Sequence, residues 1–274
     1  MQFKDHLDYL DEVTKIIQDG QFYELLNFTN FSLCSLCNLY GDLLGKIIQS
    51  DSKIIIKHVI DNVTSVNTYD TFYLVHYLVK MDNVKLFDYF IDKYHMNLEA
   101  HDNDNWKPIN YACYYKKLKM VEYLINKRVD LESQTNNCWK PIHHACCYGN
   151  LKMVEYLVNK GVNLESQNND DWQPIHFVCR YGSHKIIEYL VTRIFDFESA
   201  NNDGWRPIHL VCRYGDYDSI KLILSKNICL DTRINLYNKV AADYGVIDLL
   251  LMNNKLTFGK QQKLLKIINK KLNS

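Results

Sequence analysis

Four tryptophans stand 33 residues apart along the chain, and three further residue types keep the same spacing. These columns are Trp106, Trp139, Trp172 and Trp205; Pro108, Pro141, Pro174 and Pro207; Cys113, Cys146, Cys179 and Cys212; and Tyr115, Tyr148, Tyr181 and Tyr214. An enzyme needs its reactive cluster only once, whereas a cluster that recurs in one register marks a repeated structural unit. The His, Cys and Arg residues that follow each Trp are therefore predicted to be repeat positions and not a catalytic segment.

Each unit carries the local signals of two short helices joined by a tight turn. In "WQPIHFVCRYGSHKIIEYLVTR", Pro174 suits the first turn of a helix, where its missing N–H has no intrahelical partner to lose. Gly182 is predicted to end that helix in the left-handed conformation. A second helix follows, with its apolar stripe between Ile186 and Val191. The next segment, "FDFESANNDGW", is polar and typical of turns, so the predicted unit is helix, turn, helix and hairpin-like loop.

The repeated motifs resemble those of ankyrin repeats, a family with a period of about 33 residues and the signature T-P-L-H-x-A. The signature appears as "KPINYA", "KPIHHA", "QPIHFV" and "RPIHLV", and the second helices appear as "LKMVEYLINK", "LKMVEYLVNK", "HKIIEYLVTR" and "YDSIKLILSK". The resemblance extends from Asn103 to about Leu230 and implies a non-catalytic protein that binds a protein partner. The abundance of Tyr, Asn, Lys and Ile is also similar to that of ankyrin proteins of giant DNA viruses such as mimivirus, which implies a host protein as the partner.

Weaker copies of the unit lie on both sides of this block. Upstream, "LVHYLVK" places His76 at the signature His, "LFDYFIDK" matches the second helices, and "KIIQDG" and "KIIQSD" each belong to one further degenerate unit. Downstream, "YNKVAADYGVIDLLLMNN" matches a helix pair, and "FGKQQKLLKIINKKLNS" is a basic amphipathic helix suited to cap the stack. The predicted fold is an all-α ankyrin-repeat solenoid of about eight helix-turn-helix units joined by hairpin-like loops. Its predicted divisions are residues 1–67 (divergent helical repeats), 68–101 (one divergent repeat), 102–234 (four near-consensus repeats) and 235–274 (a degenerate repeat and the capping helix).

The balance of charge argues against highly charged partners. Thirty-two Lys and Arg residues match 32 Asp and Glu residues, so no net charge attracts nucleic acid or an anionic membrane. The start "MQFKDHLDYLDE" is unlike a secretory leader, and no apolar run approaches the roughly 20 residues that span a bilayer. Nine cysteines are an odd number, which favours reduced thiols over a disulfide framework. We therefore expect an intracellular protein, most simply a cytoplasmic one.

The residues that look reactive have structural explanations. The resemblance implies that His143, His176 and His209 hydrogen-bond the backbone of the adjoining loop. The cysteine column suits close packing on the first helices. Cys34 and Cys37 form a lone C-x-x-C without a second pair at zinc spacing, and "FSLCSLCNLY" has the pattern of a helical face. Because the chain has no phosphate-binding loop, dinucleotide fingerprint, nucleophile elbow or zinc-protease motif, we expect no catalytic residue, cofactor or metal.

One position departs from the ankyrin signature. Where the family has a threonine before the proline, this chain has Lys107, Lys140, Gln173 and Arg206. None of these is a good helix N-cap, and a positive charge at a helix N-terminus opposes the helix dipole. Replacing Lys140 or Arg206 by Thr is therefore predicted to stabilise the fold by about 0.5–1 kcal/mol, unless the long side chains have another structural role.

The resemblance also implies where a partner would bind. In ankyrin proteins the hairpin tips and the exposed side of the first helices share one concave surface, and Trp, Tyr and Arg are enriched in binding hot spots. The predicted partner-binding residues are Asp104, Trp106, Tyr114, Tyr115, Trp139, Tyr148, Asp170, Trp172, Arg180, Tyr181, Asp203, Trp205, Arg213 and Tyr214. Their neighbours on the same surface are Asn103, Asn136, Asn137, Cys147, Asn169 and Asn202.

Four other interpretations stay open. In the first, the Trp column is a structural ladder in which each indole packs on the next hairpin. In two others, the N-terminal third recruits a second factor such as a ubiquitin ligase, or holds a small catalytic domain. In the last, the protein binds nucleic acid through its aromatic columns and nearby basic residues, which are Lys107, Lys140, Arg180, Arg206 and Arg213. Acidic residues in the same loops oppose that last interpretation; they are Asp104, Asp170, Asp171 and Asp203.

Overall fold

The computed structural model describes residues 31–32, 63–65, 75–76, 78–80, 82–148, 150–193, 196–235 and 243–273. Contacts divide the chain into two parts, Met1–Ala100 and His101–Ser274. In the first part, strands β1 (Phe31–Ser32) and β2 (Val63–Ser65) pair in parallel, and helix α1 spans Val84–Tyr94. Residues 75–76 and 78–80 of this part are also helical.

Helix α1 confirms the second helix predicted from "LFDYFIDK". It begins where the Asn83 side chain accepts a hydrogen bond from the Leu86 backbone N–H at 3.1 Å. Phe87 and Phe90 are buried on its apolar side. The helix ends at His95, whose left-handed backbone (φ 50°) closes its C-terminus.

The second part is a row of helix pairs. Its elements are α2 (Pro108–Tyr114), α3 (Leu118–Asn126), α4 (Pro141–Tyr148), α5 (Leu151–Asn159), α6 (Pro174–Tyr181), α7 (His184–Val191), α8 (Pro207–Tyr214), α9 (Tyr217–Leu224), β3 (Arg233–Asn235), β4 (Asp243–Gly245), α10 (Val246–Leu251) and α11 (Phe258–Leu272). The first helices α2, α4, α6 and α8 pack side by side, and the second helices α3, α5, α7 and α9 do the same. The predicted helix, turn, helix and hairpin order is confirmed, and the row is a helical repeat stack.

The core of this stack runs from pair to pair. In α4, Ile142, Ala145 and Cys146 are at most 1 % exposed, and in α5 Met153 and Leu157 are fully buried. A helix pair on its own has no second layer to cover these side chains, so its neighbours must supply one. At the end of the row, α11 packs on α9 and α10 and buries only Leu264 and Ile268, as a cap with a polar outer face does.

Gly182 ends α6 for a different reason from the one predicted. Its φ is −72°, which is extended and not left-handed. A Cβ at this position would lie 2.5 Å from the Val178 carbonyl oxygen and 2.8 Å from Val178 Cγ1. Gly215 ends α8 in the same way, with an equivalent Cβ 2.6 Å from Val211 Cγ2. The glycines are therefore required by the close approach of the turn to the preceding helix.

Two strand pairs depart from the predicted all-helical fold. Phe31–Ser32, predicted to be part of a helical face, is strand β1, while Cys34 and Cys37 lie outside the described residues. Downstream, the predicted first helix in "YNKVAADYG" is wrong at its end, because Asp243–Gly245 forms β4, antiparallel to β3. The Asp248 carboxylate accepts a hydrogen bond from the Gly245 N–H at 2.9 Å, so the helix begins only at Val246.

The number of units and their boundaries stay predictions. The described residues contain four complete helix pairs, α2–α3 to α8–α9, followed by the shorter α10 and the capping α11. The expected total of about eight units includes segments before residue 75, of which only β1 and β2 are described. The predicted divisions at residues 67, 101 and 234 stay predictions as well.

The long side chains that replace the signature threonine do have another structural role. The Lys140 ammonium lies 2.7 Å from Glu132 Oε2, and the other oxygen of Glu132 accepts a hydrogen bond from the Asn163 N–H of the next loop at 2.9 Å. Arg206 pairs with Glu198 in the same way. One glutamate thus joins the start of a first helix to the backbone of the following hairpin.

Lys140→Thr is therefore expected to gain an N-cap and lose an ion pair, each contributing up to about 1 kcal/mol. At low salt the free energy of unfolding should change by less than about 0.5 kcal/mol, because the two effects offset each other. In about 1 M salt the variant should be more stable than the wild type by about 0.5–1 kcal/mol, since salt screens the ion pair and not the cap. Urea unfolding at both salt concentrations measures the change.

Gln173→Thr is the matched control for this prediction. The Gln173 side chain accepts a hydrogen bond from the Ser199 hydroxyl at 2.8 Å, so no charge is lost there and the effect of threonine should not depend on salt. A Lys140→Thr variant whose stability relative to the wild type is equal at both salt concentrations would contradict the role of the ion pair.

Candidate functional site

Each tryptophan is held in place by its own hairpin. A side-chain oxygen four residues upstream accepts a hydrogen bond from the Trp backbone N–H. The pairs are Asp102 with Trp106 (2.8 Å), Thr135 with Trp139 (3.1 Å), Asn168 with Trp172 (2.8 Å) and Asn201 with Trp205 (2.7 Å). The residue before each Trp has a left-handed backbone with φ between 56° and 78°; these residues are Asn105, Cys138, Asp171 and Gly204. The hairpins therefore set the direction in which each indole leaves the loop.

Asparagines join consecutive hairpin tips. The Asn136 side-chain amide donates to the Asn103 carbonyl at 2.9 Å, and its backbone N–H donates to the Asp104 carbonyl at 2.9 Å. Asn169 and Asn202 repeat both bonds one and two units later, with side-chain distances of 3.2 and 3.0 Å. The sequence assigned these asparagines to the partner surface, but their amides hydrogen-bond within the scaffold.

The tryptophans form a ladder with side chains of the first helices. The centroid of the Trp106 ring lies 4.4 Å from that of His144, which in turn lies 5.0 Å from Trp139. Trp139 lies 4.5 Å from Phe177, and Phe177 lies 5.0 Å from Trp172. All four tryptophans of the column are half-buried. Each of Trp106 and Trp139 therefore packs on the first helix of the next unit, and part of each ring remains exposed.

Sequence reasoning missed His144 and Phe177. They occupy the position after the "PIH" of the signature, which holds Tyr111, His144, Phe177 and Leu210 in the four units. Because this position changes while the tryptophan does not, the residue type alone does not reveal that it faces the indole. The spacing could have identified them, because this position also recurs every 33 residues and therefore lies at the same place in each unit.

Three of the four tyrosines that end the first helices are more open to solvent than the tryptophans, and the fourth, Tyr214, is half-buried. Tyr114 and Tyr148 are each 38 % exposed and Tyr181 is 53 % exposed. The Tyr114 and Tyr148 rings lie 4.8 Å apart, and Tyr114 also lies 5.5 Å from Trp106. Tyr115, in contrast, is half-buried and stacks on Tyr111 at 6.0 Å. The exposed tyrosines therefore continue the tryptophan ladder toward solvent.

Two arginines complete this surface in the third and fourth units. The Arg180 guanidinium carbon lies 5.5 Å from the Trp172 ring, 5.0 Å from Tyr181 and 5.3 Å from Tyr214. Arg213 lies 5.4 Å from Tyr214 and donates a hydrogen bond to the Met252 carbonyl at 2.6 Å. Distances below about 6 Å from a ring are those of cation–π contacts.

The structure thus brings most of the predicted partner-binding residues together. We use the name aromatic face for Trp106, Tyr114, Trp139, Tyr148, Trp172, Arg180, Tyr181, Trp205, Arg213 and Tyr214. They are linked by the ring contacts described above and by the contact of Trp205 with Tyr214, whose ring centroids lie 6.2 Å apart. Asp104, Asp170 and Asp203 are exposed on the hairpin tips beside it. The half-buried Tyr115 is turned toward Tyr111 and lies at its edge.

A second ladder, made of the signature histidines, ties each first helix to the next hairpin. In His143, Nδ1 accepts a hydrogen bond from the Lys140 backbone N–H at 3.0 Å, so Nε2 carries the proton and donates to the Ser166 carbonyl at 2.9 Å. His176 and His209 make the corresponding bonds to the Ser199 and Thr232 carbonyls. Burial lowers the pKa of His143 to about 4. These bonds confirm the structural role that the resemblance implied.

The first unit lacks this bridge, because it has Asn110 where the others have histidine. Asn110 is fully buried, and its side-chain oxygen accepts a hydrogen bond from the Lys107 N–H at 3.1 Å. Its side-chain nitrogen has no partner, and neither does the buried hydroxyl of Ser133, which stands at the position of Ser166. A shorter side chain here therefore leaves two buried polar groups unsatisfied.

Asn110→His is expected to complete the ladder and to raise the free energy of unfolding by about 1–2 kcal/mol, since it pairs buried polar groups. The reciprocal change His143→Asn should lower it by a similar amount. Urea unfolding of both variants measures the effect. Destabilisation by Asn110→His would contradict the prediction and would show that the first unit has no room for an imidazole.

His144 is a buried histidine of another kind. It is 2 % exposed between the rings of Trp106 and Trp139, and neither of its nitrogens has a hydrogen-bond partner. Burial, helped by the nearby His143, lowers the pKa of His144 to about 3. Folding therefore requires the neutral ring. Its contribution to stability is complete well above about pH 6.5, the ordinary pKa of an unfolded histidine, and falls as the pH is lowered through that value toward the pKa of the folded state.

His144→Phe copies the residue at the equivalent position of the next unit, Phe177. We expect a higher free energy of unfolding at pH 7, because two unpaired nitrogens are removed. The loss of stability between about pH 7 and pH 5 should be smaller than in the wild type by about 2 kcal/mol. The reciprocal variant Phe177→His should become more sensitive to acid. Equal pH profiles for the wild type and His144→Phe, measured by urea unfolding, would contradict this account.

The cysteines of the repeat column are buried, and the described residues form no metal-binding cluster. The described residues contain no group of three or more His, Cys, Asp or Glu side chains placed to hold a metal ion. Cys113, Cys146, Cys179 and Cys212 are free and buried, and burial raises the pKa of each thiol, so these thiols stay protonated. Within the same described part, no helix is both long and apolar enough to span a bilayer.

Comparison with known proteins agrees with this architecture. The family model described as ankyrin repeats (3 copies) matches residues 46–135, 75–168 and 142–235. No curated protein matches the chain. The three family matches together cover residues 46–235, well over half of the 274 residues. With its helix pairs, hairpins and bridging histidines, the chain belongs to the ankyrin-repeat family.

Proposed function

We propose that this protein is a non-catalytic scaffold that binds a partner protein through the aromatic face. Ankyrin repeats generally mediate protein–protein interactions. The observation that carries the proposal is that Tyr114, Tyr148 and Tyr181 stay exposed at the ends of the first helices although large aromatic side chains favour burial; Tyr181 is 53 % exposed. Tyr, Trp and Arg supply most of the binding energy in protein interfaces.

The contacts within the tryptophan ladder separate residues that should bind the partner from residues that should stabilise the fold. Trp106 and Trp139 pack against His144 and Phe177, so their substitution would also disturb the scaffold. Tyr148 and Tyr181 reach further into solvent. The groove formed by the hairpins and first helices would then present tyrosine and arginine side chains on a base of half-buried tryptophans.

Two finer parts of the proposal concern the partner. If the resemblance to proteins of giant DNA viruses reflects a viral origin, the partner is a host protein inside the infected cell. An adaptor function adds a second factor, such as a ubiquitin ligase, bound through residues 1–67. These parts rest on the sequence resemblance alone.

The nucleic-acid alternative is less well supported, because its basic residues are engaged elsewhere. Lys140 and Arg206 pair with Glu132 and Glu198. Arg180 lies over aromatic rings and Arg213 binds a backbone carbonyl. Phosphate binding through these side chains would first have to break contacts within the protein. A steep loss of affinity with salt would be its signature.

The test is affinity purification with the full chain and mass spectrometry of the bound proteins. The double variant Tyr148→Ala, Tyr181→Ala should lose at least one specific partner, because each change removes a large exposed ring from the aromatic face. The control Tyr89→Ala removes a tyrosine that is 40 % exposed but lies outside His101–Ser274, and should retain that partner. All three proteins should melt at similar temperatures.

Two outcomes decide the proposal. Retention of every captured protein by the double variant would contradict binding through the aromatic face. A fragment lacking residues 1–67 tests the adaptor function in the same experiment, since a second factor should be lost from it while the first partner stays bound. If the fragment retains the second factor as well as the first partner, the adaptor function is contradicted.

A further inference from the structure

A cavity of about 220 Å³ opens between the first and second units of the aromatic face. Its lining includes two indoles and two phenols, those of Trp106, Trp139, Tyr114 and Tyr148, with His144 between the two indoles. None of its lining residues is an Asp, Glu, Lys or Arg. Sites for small molecules usually measure roughly 300–1,000 Å³, so this cavity is better matched to one side chain than to a cofactor.

The third unit shows which side chain lies between the rings that correspond to Trp106 and Tyr148. Trp172 and Tyr214 are the counterparts of Trp106 and Tyr148, 66 residues further along the chain. Between them lies the guanidinium of Arg180, 5.5 Å from the Trp172 ring and 5.3 Å from the Tyr214 ring. Arg180 stands at the position that Tyr114 occupies in the first unit. In the first unit the ring of Tyr114 takes this place, 5.5 Å from Trp106 and 4.8 Å from Tyr148, and the cavity that it lines is bounded also by Trp139, Thr135 and Asn137. The third unit therefore shows that a guanidinium packs on this pair of rings, and the first unit offers the same rings beside an open space.

We propose that the cavity between Trp106, Tyr114, Trp139 and Tyr148 binds an arginine side chain of a partner protein. The inference rests on the proposed function and names the chemistry of the partner's anchor. A guanidinium suits this lining, because it is planar, weakly hydrated and stacks on aromatic faces. The lining has no carboxylate, so attraction comes from the ring faces and depends less on salt than an ion pair does.

His144 lines the cavity, and its position supports this assignment. It is buried between the two indoles that form the walls, so it sets their separation. A protonated imidazole would repel a guanidinium, but burial keeps the ring neutral at neutral pH because the pKa of His144 is lowered to about 3. Arginine binding should therefore be constant between about pH 6 and pH 8.

The experiment uses NMR of the full chain, in which the indole N–H signals of the four tryptophans are assigned by Trp→Phe substitution. The probe is Nα-acetyl-arginine amide. It should shift the Trp106 and Trp139 signals saturably and leave Trp205 unchanged. Blocked citrulline, which has nearly the same shape without the charge, should bind at least about fivefold more weakly, and blocked lysine should also bind more weakly than arginine.

Two variants test whether the probe binds in the cavity. Tyr114→Arg copies the arrangement of Arg180. It removes one ring from the lining and places a like charge against the remaining rings, so it should abolish the shifts. Tyr114→Phe keeps the ring and should bind as the wild type does. Melting temperatures check that both variants fold. Equal binding of arginine, citrulline and lysine, or full binding to Tyr114→Arg, would overturn the assignment.

The arginine-binding experiment can fail while the test of the proposed function succeeds, so the two results can be told apart. If Tyr148→Ala, Tyr181→Ala loses a captured partner while the arginine probe shifts no indole signal, the scaffold stands and the arginine anchor is wrong. If the partner itself is lost from Tyr114→Arg and retained by Tyr114→Phe, the cavity is the anchor site on that partner.

Discussion

The contact between successive first helices is the constraint on which the rest of this structure depends. A two-helix unit exposes an apolar side that it cannot cover, and stacking against its neighbours buries Ile142, Ala145 and Cys146 almost completely. This demand for mutual burial explains why the cysteine and proline columns recur in one register. It also explains why the last helix, α11, has so few buried residues, since it has a neighbour on one side only within the described chain.

Polar ladders then fix how closely the units approach each other. His143 and its counterparts connect a first helix to the hairpin 23 residues later, and Asn136 and its counterparts connect hairpin tips. The Ser166 carbonyl that His143 binds would otherwise be buried without a partner, which is costly. The asparagine bonds lie instead on the exposed hairpin tips. Where the ladder is interrupted, at Asn110, unpaired polar atoms appear in the core. The stack is therefore specified by hydrogen bonds as well as by apolar contact.

The aromatic face follows from these two features. The hairpins direct Trp106 and Trp139 onto the next first helix, so part of each indole is used for packing and part remains exposed at the base of the aromatic face. Packing is therefore observed for Trp106 and Trp139, whereas binding by the exposed part of the column belongs to the proposed function. The position before the repeated tyrosine differs from unit to unit: Tyr114 lines a cavity in the first unit, whereas Arg180 lies against the rings of Trp172 and Tyr214 in the third.

The sequence by itself determined the period, the helix pairs, the proline starts and the positions of the histidines, because these depend on residues close together in the chain or on exact repetition. It did not determine that His144 and Phe177 separate the indoles, that Glu132 pairs with Lys140, or that Gly182 is needed for a close approach rather than for a left-handed turn. Each of those facts depends on the distance between packed elements. Only the tertiary structure decides such distances, since side chains as far apart in the chain as Trp106 and His144 meet according to how the units stack.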